Sequence, residues 1–184
     1  MSIIKSIAIN QFNGAFHFLS NFYLTPIVIE DITYASSEHA YQAKKFLKGT
    51  AERESVIAMD TPSGAKREAD RITKKLLLPQ ADEADRAAIL TPDWQQRKAT
   101  FMMRILNVKF APGSELAELL AKTDKLHLLE GNYWHDNVWG SCEPRFRPRN
   151  RSITCSDACL GRGENGLGKI LMAIRHSLPV PLAE

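Results

Sequence analysis

The stretch Ser36-Ser37-Glu38-His39-Ala40-Tyr41-Gln42-Ala43-Lys44-Lys45-Phe46 constrains this chain more than any other. It reads as one helix that carries chemistry. At about 3.6 residues per turn, Tyr41 and Gln42 fall one turn beyond Glu38 and Lys45 falls one turn further, so these four share a face. His39, Ala43, Phe46 and Leu47 point the other way and supply a core side. Two readings of the polar face stand. It is a solvated face, as exposed charge usually is, or the fold turns an acid, an amide and a lysine toward a cleft.

With 184 residues and 44% hydrophobic content, the chain suits one globular domain spanning 1–184. A net charge of +3 does not by itself mark a nucleic-acid binder, but the charge is uneven, with Arg145, Arg147, Arg149 and Arg151 alternating along one segment. Residues from Met1 to Phe12 have neither the apolar run nor the cleavage site of a signal peptide. No stretch approaches the ~20 apolar residues of a membrane span, so the expectation is a cytoplasmic protein without a membrane partner. Three cysteines, an odd number, fit a reducing compartment better than a disulfide framework.

Lys5–Ile9 and Ile27–Tyr34 are β-branched and read as strands, the second closing a hairpin around Glu30-Asp31. Between them, Phe16 to Tyr23 is dense in aromatics beside Ser20 and Asn21, which suits a core plug for most of them or a pocket wall. Thr50 and Thr61-Pro62 are helix starts, predicting helices through Met59 and through about Arg71. Thr91-Pro92 repeats the signal and opens a longer helix with Trp94, Phe101, Ile105 and Val108 on one stripe and Lys98 within it. Ala111-Pro112-Gly113 stops that helix, Ser114 starts another through Ala121, and Lys125–Glu130 reads as a strand. Gly131 to Gly163 lacks apolar periodicity and is long for a loop, and loops of that length tend to be functional or disordered. Leu167 to Leu178 closes the chain as a helix.

Gly161-Arg162-Gly163-Glu164-Asn165-Gly166 has the letters of a dinucleotide fingerprint, but neither a preceding strand nor a complete strand-helix-strand unit accompanies it. Gly163 to Lys169 nearly spells a phosphate loop, with Ile170 where a hydroxyl must hold magnesium. The glycines entering this helix leave two readings: exposed amides that hold an anion beside Lys169 and Arg162, or a tight turn. Cys142, Cys155 and Cys159 with His135 suggest zinc ligands, yet only Cys155 and Cys159 are close in sequence, and ordinary buried or free thiols are the alternative.

Five blocks then occur in order: Phe18-Leu19-Ser20-Asn21-Phe22-Tyr23; Ser36-Ser37-Glu38-His39 with Gln42-Ala43-Lys44-Lys45-Phe46; Trp94 with Lys98; Asp136-Asn137-Val138-Trp139-Gly140; and Asn165 to Met172 with Arg175. With these blocks the chain closely resembles the NADAR family. The resemblance implies an α+β fold, a mainly helical single domain with a small β-sheet, and a pocket between the first helix and the loop holding Asp136. By motif match it implies Glu38 and Asp136 as the acidic pair and Lys45 as the functional lysine. Asn21, Phe22, Gln42, Trp94 and Trp139 would line the pocket. Trp94 is also a candidate for the core, and Asp136 for a brace of its own loop.

The family implies N-glycosidase activity on ribosylated intermediates of riboflavin synthesis, or removal of ADP-ribose from guanine in nucleic acid. Both break a bond from nitrogen to ribose C1. Positive charge grows at C1, so one carboxylate stabilises it while another group protonates the departing nitrogen. An unprotonated lysine can instead capture an opened ribose as a Schiff base, and Lys45 is preferred to Lys44 because it shares the face of Glu38. Its pKa would then have to be lowered, by burial beside aromatics and not by pairing with Glu38. An arginine-rich insertion at about 143–161 departs from the family pattern. It grips substrate phosphate or is a solvated loop. The expected partner is a ribosylated small molecule or ADP-ribosylated nucleic acid, with no metal and no cofactor required. A binding module for ADP-ribose or a nucleotide is the competing class.

Overall fold

In the computed structural model, residues 8–147 and 163–179 are described. The elements run β1 (Ala8–Ile9), a 3-10 helix (Gly14–Leu19), β2 (Leu24–Ile29), β3 (Ile32–Ser36), α1 (Ser37–Ala43), α2 (Ala51–Ile57), α3 (Pro62–Leu76), α4 (Glu83–Ile89) and α5 (Trp94–Lys109). They continue with α6 (Glu115–Ala121), β4 (His127–Leu128), β5 (Gly131–Asn132), β6 (Ser141–Cys142), a second 3-10 turn (Pro144–Phe146) and α7 (Gly166–Ser177). The architecture is α+β and mainly helical, and the strands described form three two-stranded sheets. No described helix is long and apolar enough to cross a membrane. The chain divides into two units, one of Asn21–Lys109 and one of the segments before and after it.

In the central unit, Glu30 and Asp31 hold φ values of 55° and 63°. Paired left-handed residues give the turn whose twist matches a two-residue hairpin, so β2 and β3 pair antiparallel as expected. The hairpin alternates. Ile27, Ile29 and Tyr34 are buried, while Val28 is exposed. Ser36 ends β3 and caps α1, its hydroxyl accepting from the His39 amide at 3.3 Å. Thr50 and Thr61 cap α2 and α3 in the same way, with Pro62 in the first turn of α3. Ala65, Ala69, Ile72 and Leu76 form the buried stripe of α3, which runs five residues past the predicted end at Arg71. α1 packs against the hairpin, α2, α3 and α5.

Several expectations are corrected here. α1 stops at Ala43 instead of continuing to Phe46, and all seven of its residues are buried, so it has no solvated face. α5 begins at Trp94, not at Thr91-Pro92. Thr91 is occupied elsewhere: its hydroxyl donates to the Lys44 carbonyl at 2.8 Å and its amide to the Lys45 carbonyl at 2.8 Å. The buried residues of α5 are Met102, Ile105, Leu106 and Lys109, and Val108 faces out. α4 has no counterpart in the sequence reading. Asp82 caps it, accepting from Ala84 at 2.6 Å, but none of its residues is buried, so it carries no apolar stripe to read.

In the other unit, β1 pairs parallel with β4, which is confined to His127–Leu128 within the predicted Lys125–Glu130 strand. Residues 5–7 of the first predicted strand lie outside the described residues. The aromatic segment Phe16–Tyr23 crosses the unit boundary after Ser20 and does not go wholly to the core: Phe18 is buried, whereas Phe16 and, in the central unit, Phe22 are exposed. Ser114 caps α6, accepting from the Ala117 amide at 3.2 Å. α7 lies on β4 and α6 and buries Leu167, Leu171 and Ile174. β5 and β6 form a short parallel pair at either end of the loop that carries Asp136.

Candidate functional site

The α1 cluster begins with the helix end. The Glu38 amide, one of the first-turn donors with no partner inside a helix, donates to the Asn21 carbonyl at 3.0 Å. This bond ties the motif before β2 to α1. Glu38 is 6% exposed, and Gln42, one turn on, donates Nε2 to Glu38 Oε1 at 2.7 Å. Asn21 donates Nδ2 to Met102 Sδ at 3.5 Å. The remaining acceptors, Asn21 Oδ1 and Gln42 Oε1, are buried and have no hydrogen-bond partner, as is the Ser37 hydroxyl. A buried polar atom left unmade costs about 1–3 kcal/mol, so these oxygens mark a place suited to a ligand that brings donors.

Tyr41 extends the cluster into an aromatic ladder. Its ring lies 5.2 Å from that of Trp94, and Trp94 stacks on Phe101 at 5.8 Å and 20°. Trp94 is half-buried, so the ladder keeps an open flank, and Arg97 sits 4.9 Å over the Phe101 ring. Lys98, half-buried on the same helix, donates to Gln95 at 2.9 Å. Phe22, predicted as pocket lining, is 37% exposed.

The two lysines after α1 differ in their partners. Lys44 is buried and its ammonium meets Glu30 Oε2 at 3.0 Å, with Phe101 5.9 Å away. Burial pushes its pKa below the ordinary lysine value, partly offset by the bond to Glu30. That bond holds the Glu30 carboxyl below the usual range, against a smaller opposing effect of burial. The pair favours the carboxylate more than the ammonium because the ammonium is the more buried partner. Lys45 lies beyond the helix, so its predicted place on the helical face of Glu38 is corrected. Its amide bonds to Gln42, its carbonyl accepts from Thr91, and Phe46 bridges to Leu90. Its ammonium pairs with Asp70 of α3 at 3.3 Å.

Asp136 sits in a loop held by side chains that imitate backbone. Asn132, fully buried, accepts from the amides of Trp134 and Asp136 at 3.2 Å each and donates to the Asp136 carbonyl at 2.7 Å. Asp136 Oδ1 accepts from Val138 and Trp139 at 3.1 and 2.9 Å. Asp136 therefore does brace its loop, and Oδ2 takes no part in that brace. Trp139 is half-buried against the start of α7, where a Cβ on Gly166 would approach its ring to 3.1 Å.

The anion reading of the α7 entrance is corrected. The amides of Gly166 and Leu167 are already donated to the carbonyls of Val138 and Trp139, at 2.9 and 3.0 Å. Asn165 organises the entrance instead. It adopts φ 51°, accepts from the Glu130 amide at 3.1 Å and donates to the Leu128 carbonyl at 2.8 Å. Gly168 has no room for a side chain, since a Cβ there would lie 2.1 Å from the Leu128 carbonyl. For the zinc reading, Cys155 and Cys159 lie outside the described residues. Cys142 is buried and accepts from the His135 amide at 3.2 Å, and the described residues contain no cluster of three or more metal-ligating side chains. Arg149 and Arg151 also lie outside the described residues. Arg145 pairs with Glu143 at 2.7 Å and lies 4.7 Å over Phe146.

The sequence reading missed Asp70 and Asn132, and it placed Glu30 in the hairpin turn and Asn165 in a family block without giving their side chains a role. Asparagine at a strand end beside a polar loop is a recognisable signal for Asn132, and asparagine just before a helix for Asn165, because the side-chain amide replaces missing backbone partners. Nothing local announces Asp70, whose partner lies 25 residues away.

The sequence matches the NADAR domain over residues 9–179. It is 30% identical over 161 residues to the protein named N-glycosidase YbiA of Escherichia coli strain K12, covering 88% of this chain and 81% of that one. It is 29% identical over 161 residues to a riboflavin biosynthesis protein of Vibrio vulnificus, covering 35% of that longer chain. The solved NMR structure of E. coli YbiA superposes with a TM-score of 0.66 at 26% identity, covering 94% of this chain and 86% of that one. Sequence and fold thus agree across nearly the whole molecule, and the chain belongs to the NADAR family.

Proposed function

We propose that this protein is an N-glycosidase that hydrolyses the bond between ribose C1 and a base or amine nitrogen, with ribosyl phosphates of aminopyrimidines in riboflavin synthesis as substrates. Relatives named N-glycosidase and riboflavin biosynthesis protein support the general role. The observation that carries the reading is the buried Glu38–Gln42 pair at 2.7 Å, beside acceptors that lack a donor. An aminopyrimidine and a ribose bring N–H and O–H donors of the kind those oxygens need. The Tyr41–Trp94–Phe101 ladder offers aromatic faces for the base.

In the proposed reaction, C1 loses its nitrogen and gains oxygen from water, and the departing nitrogen takes a proton. By the family motif, Glu38 is the carboxylate that stabilises the positive charge at C1 and Asp136 is the acid that protonates the nitrogen. The preferred route runs through Lys45, whose amine forms the new bond to C1 of the opened ribose as the substrate nitrogen leaves with a proton. Water then hydrolyses the imine, releasing ribose phosphate and restoring the amine.

Removal of ADP-ribose from guanine in nucleic acid is the second reading, favoured by the arginine-rich segment. The ion pair between Arg145 and Glu143 lessens the charge available to a phosphate backbone. The test incubates the protein and its Glu38→Gln variant with the ribosylated aminopyrimidine and with guanine-ADP-ribosylated DNA, following release by mass spectrometry. Cleavage of the first alone, lost in the variant, is expected. Cleavage of the DNA alone establishes the second reading, and binding of either without cleavage by folded protein establishes a binding module.

A further inference from the structure

Two adjacent lysines follow α1, and the structure separates their tasks. Lys44 is buried and anchored to Glu30 of the hairpin turn, next to Phe101. Lys45 is fixed at both ends. Its backbone is clamped by Gln42 on one side and Thr91 on the other, and Phe46 bridges to Leu90 just after it. Its side chain, 17% exposed, reaches Asp70 at 3.3 Å. Asp70 is 46% exposed and rises from α3 between Ala69 and Ile72, both buried. α3 is packed on α1, so the carboxylate is presented from a rigid element.

We propose that Asp70 is a positioning residue for Lys45. It holds the ammonium in the resting protein so that the side chain stays in one orientation, and it acts through that amine, not on the substrate. A lysine side chain has four rotatable bonds. Clamping the backbone fixes its root, and only a partner at the tip fixes the amine. This inference rests on the assignment of Lys45 to the reaction made above.

The test uses Asp70→Asn and Asp70→Glu in the full chain, with two readouts. The first is independent of catalysis: the rate at which trinitrobenzenesulfonate labels Lys45 at fixed pH, read by peptide mass spectrometry against the other lysines. Freeing the ammonium in Asp70→Asn is expected to speed labelling of Lys45 about fivefold, as loss of an ordinary partly exposed ion pair would. The second is turnover of the ribosylated substrate, where kcat is expected to fall about tenfold with KM little changed, because the amine is misplaced for attack. Asp70→Glu should restore both in part. A structural role alone would not move labelling and turnover in opposite directions. Unchanged labelling overturns the proposal, and so does faster labelling with unchanged kcat. Faster labelling in a protein whose parent cleaves no ribosylated substrate would keep the contact and refute the proposed function instead.

Discussion

The two proposed carboxylates are held by different means. Glu38 is gripped by a side chain, the Gln42 amide, on a helix buried on every side. Asp136 is gripped by backbone, two amides of the loop it belongs to, and that loop leans on the Asn132 side chain and, at Gly140, on the Asn165 amide. The contrast teaches where function and architecture can be separated. A change at Glu38 should remove chemistry and leave the fold. A change at Asp136 should disturb both, unless the replacement keeps Oδ1.

The sharpest break of this comparison is Glu38→Gln. Cleavage is expected to fall about 10²–10³-fold, the usual worth of one preorganised electrostatic group at the reacting centre. The melting temperature should move by no more than about 2–4 °C, or ~1 kcal/mol. A larger thermal loss would show that Glu38 is part of the architecture. Next is Asn165→Ala, which removes two bonds and sets a β-carbon residue without a local partner at φ 51°. It should cost about 2–4 kcal/mol in denaturant unfolding, with Asn165→Gly costing ~1 kcal/mol less because glycine tolerates that backbone. Equal costs would mean that the backbone conformation contributes nothing.

Asp136→Asn against Asp136→Ala sharpens the contrast further. Asparagine keeps an acceptor at Oδ1 and should lose activity with a stable loop. Alanine should cost a further ~1–2 kcal/mol, and hydrogen exchange at the Val138 and Trp139 amides should speed up only in that variant. The smallest effect belongs to Glu30. Its depressed pKa means that the unfolded chain binds the proton first as pH falls. The stabilisation is therefore complete above the ordinary carboxylate range and is lost as pH drops through the lower folded value. Glu30→Gln should flatten this acid limb of the melting curve, an effect of under ~1 kcal/mol because Glu30 is a third exposed.

Much of this was legible locally. The Glu30-Asp31 hairpin, the caps at Thr50, Thr61 and Ser114, and α7 all follow from turn chemistry and period, which act over a few residues. What failed was set at a distance. The helix of Glu38 ends early because residues 45–47 pair with 89–91, and the same pairing takes Thr91 away from capping α5. Helical period put Glu38 and Lys45 on one face, but it is Asp70, from another helix, that meets the lysine. Asp136 is named by its motif with a loop brace as the other reading, and the bonds from the Val138 and Trp139 amides bear out the brace.

Borohydride reduction during turnover of the ribosylated substrate, followed by peptide mass spectrometry, tests the central claim most directly. The account predicts a ribose phosphate adduct on Lys45, with Lys44 unmodified and the adduct absent in Lys45→Ala. An adduct on Lys44, or full cleavage by Lys45→Ala, would contradict it.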